Sequence, residues 1–275
     1  MTLLSRREET GIRRRGSTAL WQDVVAGPPA PPAAIRRPTV SGVLREWGPW
    51  PCCMALLGEC EDGVPLAARF YSPKEVSHFI FYGQDDVVLA ALVEPLLYSL
   101  TVQEETTPKD AQFIIVSERT TEWNVAENEH CGALLSPYRR NGESIISRMA
   151  GLAEERMMGQ VPLSPRYLLV LHDLGRYWEY WRSESKREII PLLRNGHKFG
   201  INVVASIRYE DYEKIPEKVR SLLRQKVYGY SSVRRLPNNS AFRQIGSVLS
   251  AEIAPYQAWV RSEGRWMRYT TPVME

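Results

Sequence analysis

The sequence has no apolar run of about 18 residues, the least that a membrane-spanning helix needs. Near the N-terminus, charged side chains stand where a secretion signal would need apolar ones, so we expect no signal peptide. Only four cysteines occur in 275 residues, too few for a disulfide scaffold. A net charge of +3 is too small to indicate nucleic-acid binding by itself. Together these shortages predict a cytoplasmic globular protein with reduced thiols.

The cysteines also lack a familiar metal-binding spacing. Cys52, Cys53 and Cys60, with His130 or Cys131, could in principle hold zinc. Their spacing matches no common zinc site, so we expect ordinary buried thiols and no bound metal.

The composition changes once along the chain. Residues 1–40 combine an early cluster of arginines with a Pro/Ala-rich stretch at 27–38, which predicts a flexible basic arm. An arm that docks on a partner subunit or an acidic surface is the alternative. Residues 41–275 have the apolar content of one globular domain.

One strand–turn–helix segment organises that domain. An apolar strand at 79–82 leads to Gly83, and a polar turn leads into an apolar helix expected at 87–100. This is the frame of a phosphate-binding loop. A working loop reads GxxxxGK[ST], and here the second glycine, the lysine and the hydroxyl residue are missing.

Two carboxylates stand at the start of this helix, where a nucleotide site would hold a phosphate. Asp85 and Asp86 can satisfy the free backbone N–H groups of the first turn and the positive end of the helix dipole. We therefore expect them to cap the helix, and two fixed negative charges would repel a triphosphate. Pro95 predicts a kink or a helix in two parts.

The rest of the domain alternates strands and helices. Buried strands are expected at 112–117, 167–171, 201–207 and 226–230, and β-hairpins at 56–70 and 258–269. Helices are expected at 143–158 with Asn141 as cap, at 183–199 with a break or an offset at Pro191, at 215–223 and at 237–249. This order predicts an α/β fold with a mostly parallel sheet, helices on both faces and flanking hairpins.

A carboxylate follows one of these strands. The apolar run at 167–171 ends in His172 and Asp173, a pattern typical of the strand that holds a magnesium ion through its carboxylate. The base that activates water would follow directly, and that position is Leu174. Any apolar strand can end in Asp, so a purely structural role stays open.

Four aromatic residues crowd the next segment, at Tyr177, Trp178, Tyr180 and Trp181. They cover more than one helix face. Core packing and a partner surface are both open interpretations, since Trp and Tyr are common interface anchors.

The succession of segments from about residue 56 to residue 273 resembles the motor domain of the FtsK/HerA group, hexameric DNA-pumping ATPases of RecA-like P-loop fold. The stretches that carry the resemblance are GECEDGVPLAARF, HFIFYGQDDVVLAALVEPLLYSL, ESIISRMAGLAEERM, YLLVLHDL and RNGHKFGINVVASIR. The secretion ATPases of the EccC type belong to the same group.

The resemblance locates departures at catalytic positions. Leu89 takes the place of the P-loop lysine, and Ala90 that of the magnesium-binding Ser or Thr. Asp173 keeps the Walker B carboxylate, and Leu174 replaces the catalytic Glu. The resemblance therefore implies a pseudo-ATPase that needs neither ATP nor magnesium and serves as a structural or regulatory subunit of a larger assembly. An ATP-binding motor completed in trans is an alternative.

A second alternative is a DNA-binding subunit of a translocation, conjugation or packaging complex. The candidate basic contacts for duplex DNA or for a neighbouring subunit are Lys186, Arg187, Arg194, Lys198, Arg208, Arg220 and Arg224, with Arg234 and Arg235 nearby. Alternatively, these residues only form a solvated surface, as lysines and arginines on helices usually do. An unrelated enzyme has little support, because His172, Asp173 and His197 define no triad or metal set.

Overall fold

The computed structural model describes residues 2–3, 37–70, 78–119, 121–231, 254, 256–262 and 264–275. Most of the predicted arm, the helix expected at 237–249 and the pair Arg234 and Arg235 lie outside these residues. In the described residues no helix is long and apolar enough to cross a membrane.

In the part of the chain that the structure describes, eleven strands form one sheet. They are β1 (Thr2–Leu3), β2 (Met54–Cys60), β3 (Pro65–Arg69), β4 (Phe79–Gly83), β5 (Ala111–Val116), β6 (Cys131–Leu135), β7 (Arg166–Leu171), β8 (Ile201–Arg208), β9 (Gln225–Gly229), β10 (Gln257–Ser262) and β11 (Arg265–Thr270). The helices are α1 (Val40–Trp47), α2 (Asp86–Thr101), α3 (Arg140–Met157), α4 (Leu174–Tyr177), α5 (Ser183–Asn195) and α6 (Glu217–Arg220). Short 3-10 turns occupy Asn124–Glu127, Trp178–Tyr180, Gly196–Phe199 and Tyr209–Lys214.

The sheet has a parallel half and an antiparallel half. Its order is β1-β3-β2-β11-β10-β9-β4-β8-β7-β5-β6. Strands β9, β4, β8, β7, β5 and β6 pair in parallel, whereas the two predicted hairpins pair antiparallel and extend the same sheet beyond β9. The predicted α/β class with flanking hairpins is confirmed.

Alternating side chains of the parallel strands pack into two hydrophobic cores, one on each face of the sheet. Phe79 and Phe81 of β4 face helix α2, whereas Ile80 and Tyr82 face the side covered by α3 and α5. Both faces of the sheet are therefore covered, which explains why the central strands read as continuous apolar runs.

Three details of the helices differ from the expectation. Helix α3 begins at Arg140, so Asn141 lies inside its first turn and is not the cap. Gly142 permits this early start, because a Cβ there would lie 2.0 Å from the backbone oxygen of Ser136. Helices α2 and α5 each continue through their prolines, Pro95 and Pro191, because the apolar side chains of both helices pack into the cores beside the sheet. The expected break at Pro191 and the expected division of α2 are wrong.

All four cysteines are free thiols. No group of three or more potential metal ligands occurs among the described residues.

Candidate functional site

In the turn between β4 and α2, a side chain of the protein itself binds a free N–H group of the helix. Strand β4 ends at Gly83, and helix α2 already begins at Asp86. The Oδ1 atom of Asp85 accepts a hydrogen bond from the Val88 N–H at 2.8 Å, and the Asp85 carbonyl accepts one from the Leu89 N–H at 3.0 Å. Backbone donors that a phosphate would use at a helix N-terminus therefore serve Asp85.

The residue at the lysine position points away from any phosphate. Leu89 is fully buried among the side chains between α2 and the sheet. Its Cδ2 atom would lie 3.0 Å from a Cβ placed on Gly83, so the leucine packs directly over the end of β4. Ala90, at the magnesium-ligand position, is half-buried and has no oxygen to offer.

Asp173 lies at the carboxyl end of β7 in a left-handed conformation, with φ of 55°. Asp tolerates this region better than most residues because its short polar side chain can hydrogen-bond locally. The Asp173 N–H donates to Ser206 Oγ of β8 at 2.9 Å. Leu174, at the position of the catalytic base, is fully buried.

Arg208 connects the two strand ends with the start of α2. Its Nε and Nη2 atoms both lie 2.8 Å from Asp173 Oδ2, and Nη2 lies 3.4 Å from Asp86 Oδ1. Arg119 approaches Asp86 from the other side, with 3.8 Å between Nη1 and Oδ2. Asp85 thus caps the helix as predicted, whereas Asp86 mainly balances two arginines.

These residues line a cleft of about 270 Å³ at the carboxyl edge of the parallel strands. Its walls are formed by Asp86, Glu118, Arg119, Thr121, Glu122, His172, Asp173 and Arg208. The sequence interpretation missed Glu118, Arg119 and Glu122, which lie in the loop after β5. Charged residues that follow parallel strands gather at one edge of the sheet, and that signal could have identified them.

Burial sets the charge states at the floor of the cleft. It raises the pKa of Asp173 to about 6, and the neighbouring Arg208 offsets part of this effect. Burial lowers the pKa of His172 to about 3, so this ring is neutral. His172 Nδ1 lies 3.0 Å from Ser206 Oγ, and the imidazole meets the ring of Trp123 edge to face. His172 therefore acts as a packed polar residue.

The capping role of Asp85 can be measured. Asp85→Ala removes the acceptor of the Val88 N–H, and we expect the free energy of unfolding to fall by about 1 kcal/mol. Asp85→Asn keeps an acceptor oxygen and should lose only a fraction of that. Urea unfolding of both variants checks the prediction, and equal stability of the two would contradict it.

Two buried histidines should make the fold sensitive to acid. Burial lowers the pKa of His78, as of His172, to about 3. Both rings are neutral in the folded protein but take up protons in the unfolded chain below about pH 6.5, so stability falls as the pH falls through this range. Because the pKa of Asp173 is raised, this residue stabilises the fold as the pH falls from about 6 to about 4. Its contribution offsets that of only one of the two histidines.

Each histidine contributes up to about 1.4 kcal/mol per pH unit to the slope of the free energy of unfolding against pH. We expect the double variant His78→Asn, His172→Asn to flatten the pH dependence, since Asn can replace the Nδ1 contacts to Val203 N and Ser206 Oγ. Urea unfolding between about pH 7.5 and pH 4.5 tests this. An unchanged slope would show that these histidines do not control acid stability.

Three of the four aromatic candidates for a partner surface belong to the core. Tyr177, Trp178 and Trp181 are buried, because helix α4 and the following 3-10 turn fold back onto the side of the sheet covered by α3 and α5. For these three residues the partner-surface interpretation is corrected. Tyr180 alone is exposed, at 73%, where its ring meets that of Tyr138 edge to face.

The basic candidates fall into two groups. Arg187, Arg194, Lys198 and Arg224 are exposed. Three others make contacts within the chain: Lys186 donates to the Glu179 carbonyl, Arg220 stacks on Tyr212 with 3.6 Å to the ring centre, and Arg208 binds Asp173.

Arg208 lies in the cleft and does not extend into the solvent. Only 16% of its side chain is exposed, and the carboxylates of its own chain hold it. A contact of Arg208 with DNA or a neighbouring subunit stays a prediction, as it does for the exposed residues.

No protein-family model matches the chain, and neither does any curated protein. Solved structures do match. The cytoplasmic domain of EssC is 16% identical with a TM-score of 0.59, over 90% of this chain and 48% of that one. The cytoplasmic domain of the type VII secretion ATPase EccC from Thermomonospora curvata is 15% identical with a TM-score of 0.63, over 84% and 30%.

A conjugation protein has the same architecture. The pCW3 conjugation coupling protein TcpA, solved with ATPγS, is 11% identical with a TM-score of 0.62, over 80% of this chain and 66% of that one. The chain thus spans less than half the length of the EssC and EccC structures. At these identities the likeness establishes architecture alone. The chain therefore has the RecA-like P-loop ATPase fold of these secretion and conjugation proteins, the fold implied by its FtsK/HerA resemblance.

Proposed function

We propose that this chain is a nucleotide-independent domain of FtsK type that acts as a structural or regulatory subunit beside an active ATPase or a DNA-processing machine. The observation that carries the proposal is the Asp85 side chain on the first turn of α2. It accepts the Val88 N–H at 2.8 Å, at the position where a bound phosphate would lie.

Electrostatics support the same function. A nucleotide site needs a lysine and a magnesium ion to neutralise phosphate charge. Here a buried leucine occupies the lysine position, and Asp173 is held by Arg208 instead of facing a metal. To bind ATP, the Asp85 side chain would have to release the Val88 N–H, and Asp86 would have to release Arg208. The negative charge of both carboxylates would also repel the phosphates.

The fold supports a place in a partner assembly. In one related structure the second and third ATPase domains of Thermomonospora curvata EccC are bound to a signal sequence peptide, so such domains occur in series. A domain that has lost nucleotide chemistry but kept the fold can still occupy a position next to a working motor. We therefore expect an intact FtsK-type ATPase to be its partner.

The test is nucleotide binding. A ligand at 100 times its dissociation constant would add about 2.7 kcal/mol to the free energy of unfolding. We expect millimolar ATP with magnesium to leave the melting temperature unchanged, and equilibrium dialysis to detect no bound nucleotide. A magnesium-dependent rise that Asp173→Asn abolishes would contradict the proposal and favour a site completed in trans.

DNA binding remains the second candidate, because Arg187, Arg194 and Lys198 are exposed within one short stretch of α5 and the turn after it. A mobility shift with duplex DNA that weakens steeply with salt would support it. Absence of binding at low salt would count against it.

A further inference from the structure

A turn at the start of β2 carries two adjacent thiols in contact. The Met54 N–H donates to the Pro51 carbonyl at 3.2 Å, so residues 51–54 form a closed turn. Cys53, its third residue, has φ of 61°. Turns with a positive φ at this position normally carry Gly or Asn, so a cysteine here calls for a reason other than turn formation.

The two sulfur atoms supply such a reason. Cys52 Sγ and Cys53 Sγ lie 3.1 Å apart, about 1 Å beyond the length of a disulfide bond. Cys60 and Cys131 are lone thiols in other parts of the sheet. A small adjustment of two side-chain torsions would therefore bring the sulfur atoms of the turn into bonding distance.

Exposure divides the two thiols into different roles. Cys52 is half-buried and open to a small reagent, whereas only 2% of Cys53 is exposed. Burial raises the pKa of the Cys53 thiol, and the hydrogen bond with Cys52 adds to this effect. Because the thiolate is the attacking form, Cys52 reacts first and Cys53 closes the ring afterwards.

We propose that Cys52 and Cys53 form a reversible redox site that closes to a disulfide between adjacent residues when it meets a low-molecular-weight disulfide. The Cys52 thiolate attacks one sulfur of the reagent, forms a mixed disulfide and releases one thiolate. Cys53 then gives its proton to water, and its sulfur attacks Cys52 Sγ and displaces the second thiolate. The protein loses two hydrogen atoms, and the reagent is reduced to two thiols.

The closed ring should open easily. Adjacent Cα atoms are about 3.8 Å apart, below the usual Cα separation in a disulfide, and strained disulfides are the more readily reduced ones. Hydrogen bonds connect the turn to two other segments. The Cys53 N–H donates to Thr106 Oγ1 in the segment after α2, and the Phe70 N–H, directly after β3, donates to the Cys53 carbonyl. Ring closure therefore acts on the junction of β2, β3 and the segment after α2.

The experiment uses the full reduced chain, oxidised glutathione, and intact-mass and peptide mass spectrometry. We expect the peptide that contains Cys52 and Cys53 to lose two hydrogen atoms without a glutathione adduct, and dithiothreitol to restore them. The double variant Cys60→Ser, Cys131→Ser should react in the same way.

Cys53→Gly is the matched control, because glycine fits the positive φ and leaves Cys52 alone. This variant should keep one glutathione on Cys52 and never lose two hydrogen atoms. In the wild type, a stable glutathione adduct on Cys52, a disulfide-linked dimer or no reaction at all would each overturn the proposal.

Discussion

Arg208→Met should destabilise the fold by about 3 kcal/mol at neutral pH. The side chain of Asp173 is only 5% exposed, and its Oδ2 receives both Nε and Nη2 of Arg208 at 2.8 Å. Removing one partner of a buried ion pair costs about 3–5 kcal/mol, because the other charge stays buried without compensation. The lower end applies to this pair, since Arg208 is itself 16% exposed. Chemical unfolding at pH 7 measures the effect.

The pH dependence of this variant gives a second, independent measurement. Arg208 holds the pKa of Asp173 down against the effect of burial, which still leaves it at about 6. Without the arginine the folded-state pKa rises further, so Asp173 protonates more readily in the folded protein than in the unfolded chain. The loss of stability should therefore be largest well above pH 7, shrink as the pH falls from the raised pKa of the variant toward about 6, and change little below that.

Asp173→Asn provides the control. Asparagine tolerates the positive φ of this position and carries no charge to leave unpaired. We expect the double variant Arg208→Met, Asp173→Asn to be more stable than Arg208→Met alone. If the two single effects simply add, the ion pair does not hold the strand ends together, and the prediction is wrong.

Leu89→Lys should destabilise the chain by at least about 3 kcal/mol and should restore no ATP binding. The leucine is fully buried in the core between α2 and the sheet. A lysine there is longer and unbranched, so it cannot reproduce the packing of the leucine, and it brings a charge into an apolar site. The substitution recreates the family's lysine in sequence only, because helix α2 directs the position inward.

Leu89→Met is the matched control, since a side chain of similar volume should cost less than about 1.5 kcal/mol. Thermal unfolding with and without ATP and magnesium compares the three proteins. A stable Leu89→Lys protein that gains magnesium-dependent ATP binding would show that the loop can still open around a phosphate, and it would contradict this prediction.

The sequence identified the segments of this fold because each carries a local signal. Apolar runs such as residues 79–82 read as buried strands, Asp62-Gly63 marked the first hairpin, and Asp85 stood at a helix start. The helix limits were less accurate. Asn141 resembled a cap by its residue type, but a close approach of backbone at Gly142 allowed an earlier start, and only the folded chain contains that approach.

The sequence could place charged residues at one edge of the sheet, but it could not show which of them pair or which side chains stay exposed. Asp86, Asp173 and Arg208 are far apart along the chain and meet because parallel strands end at one edge. The exposure of Tyr180 and the burial of Trp181, its immediate neighbour, depend on how one short turn lies on the sheet.

By itself, then, the sequence determined the fold class, the order of its elements and the missing lysine, hydroxyl and glutamate of the phosphate site, because these follow from residue type and local spacing. Tertiary structure alone decided what fills that site. It turned Leu89 into the core, gave the helix N-terminus to Asp85 and tied Asp173 to Arg208. It also brought two cysteine sulfurs into contact in a left-handed turn. Each of these depends on distances between side chains, which only the folded backbone defines.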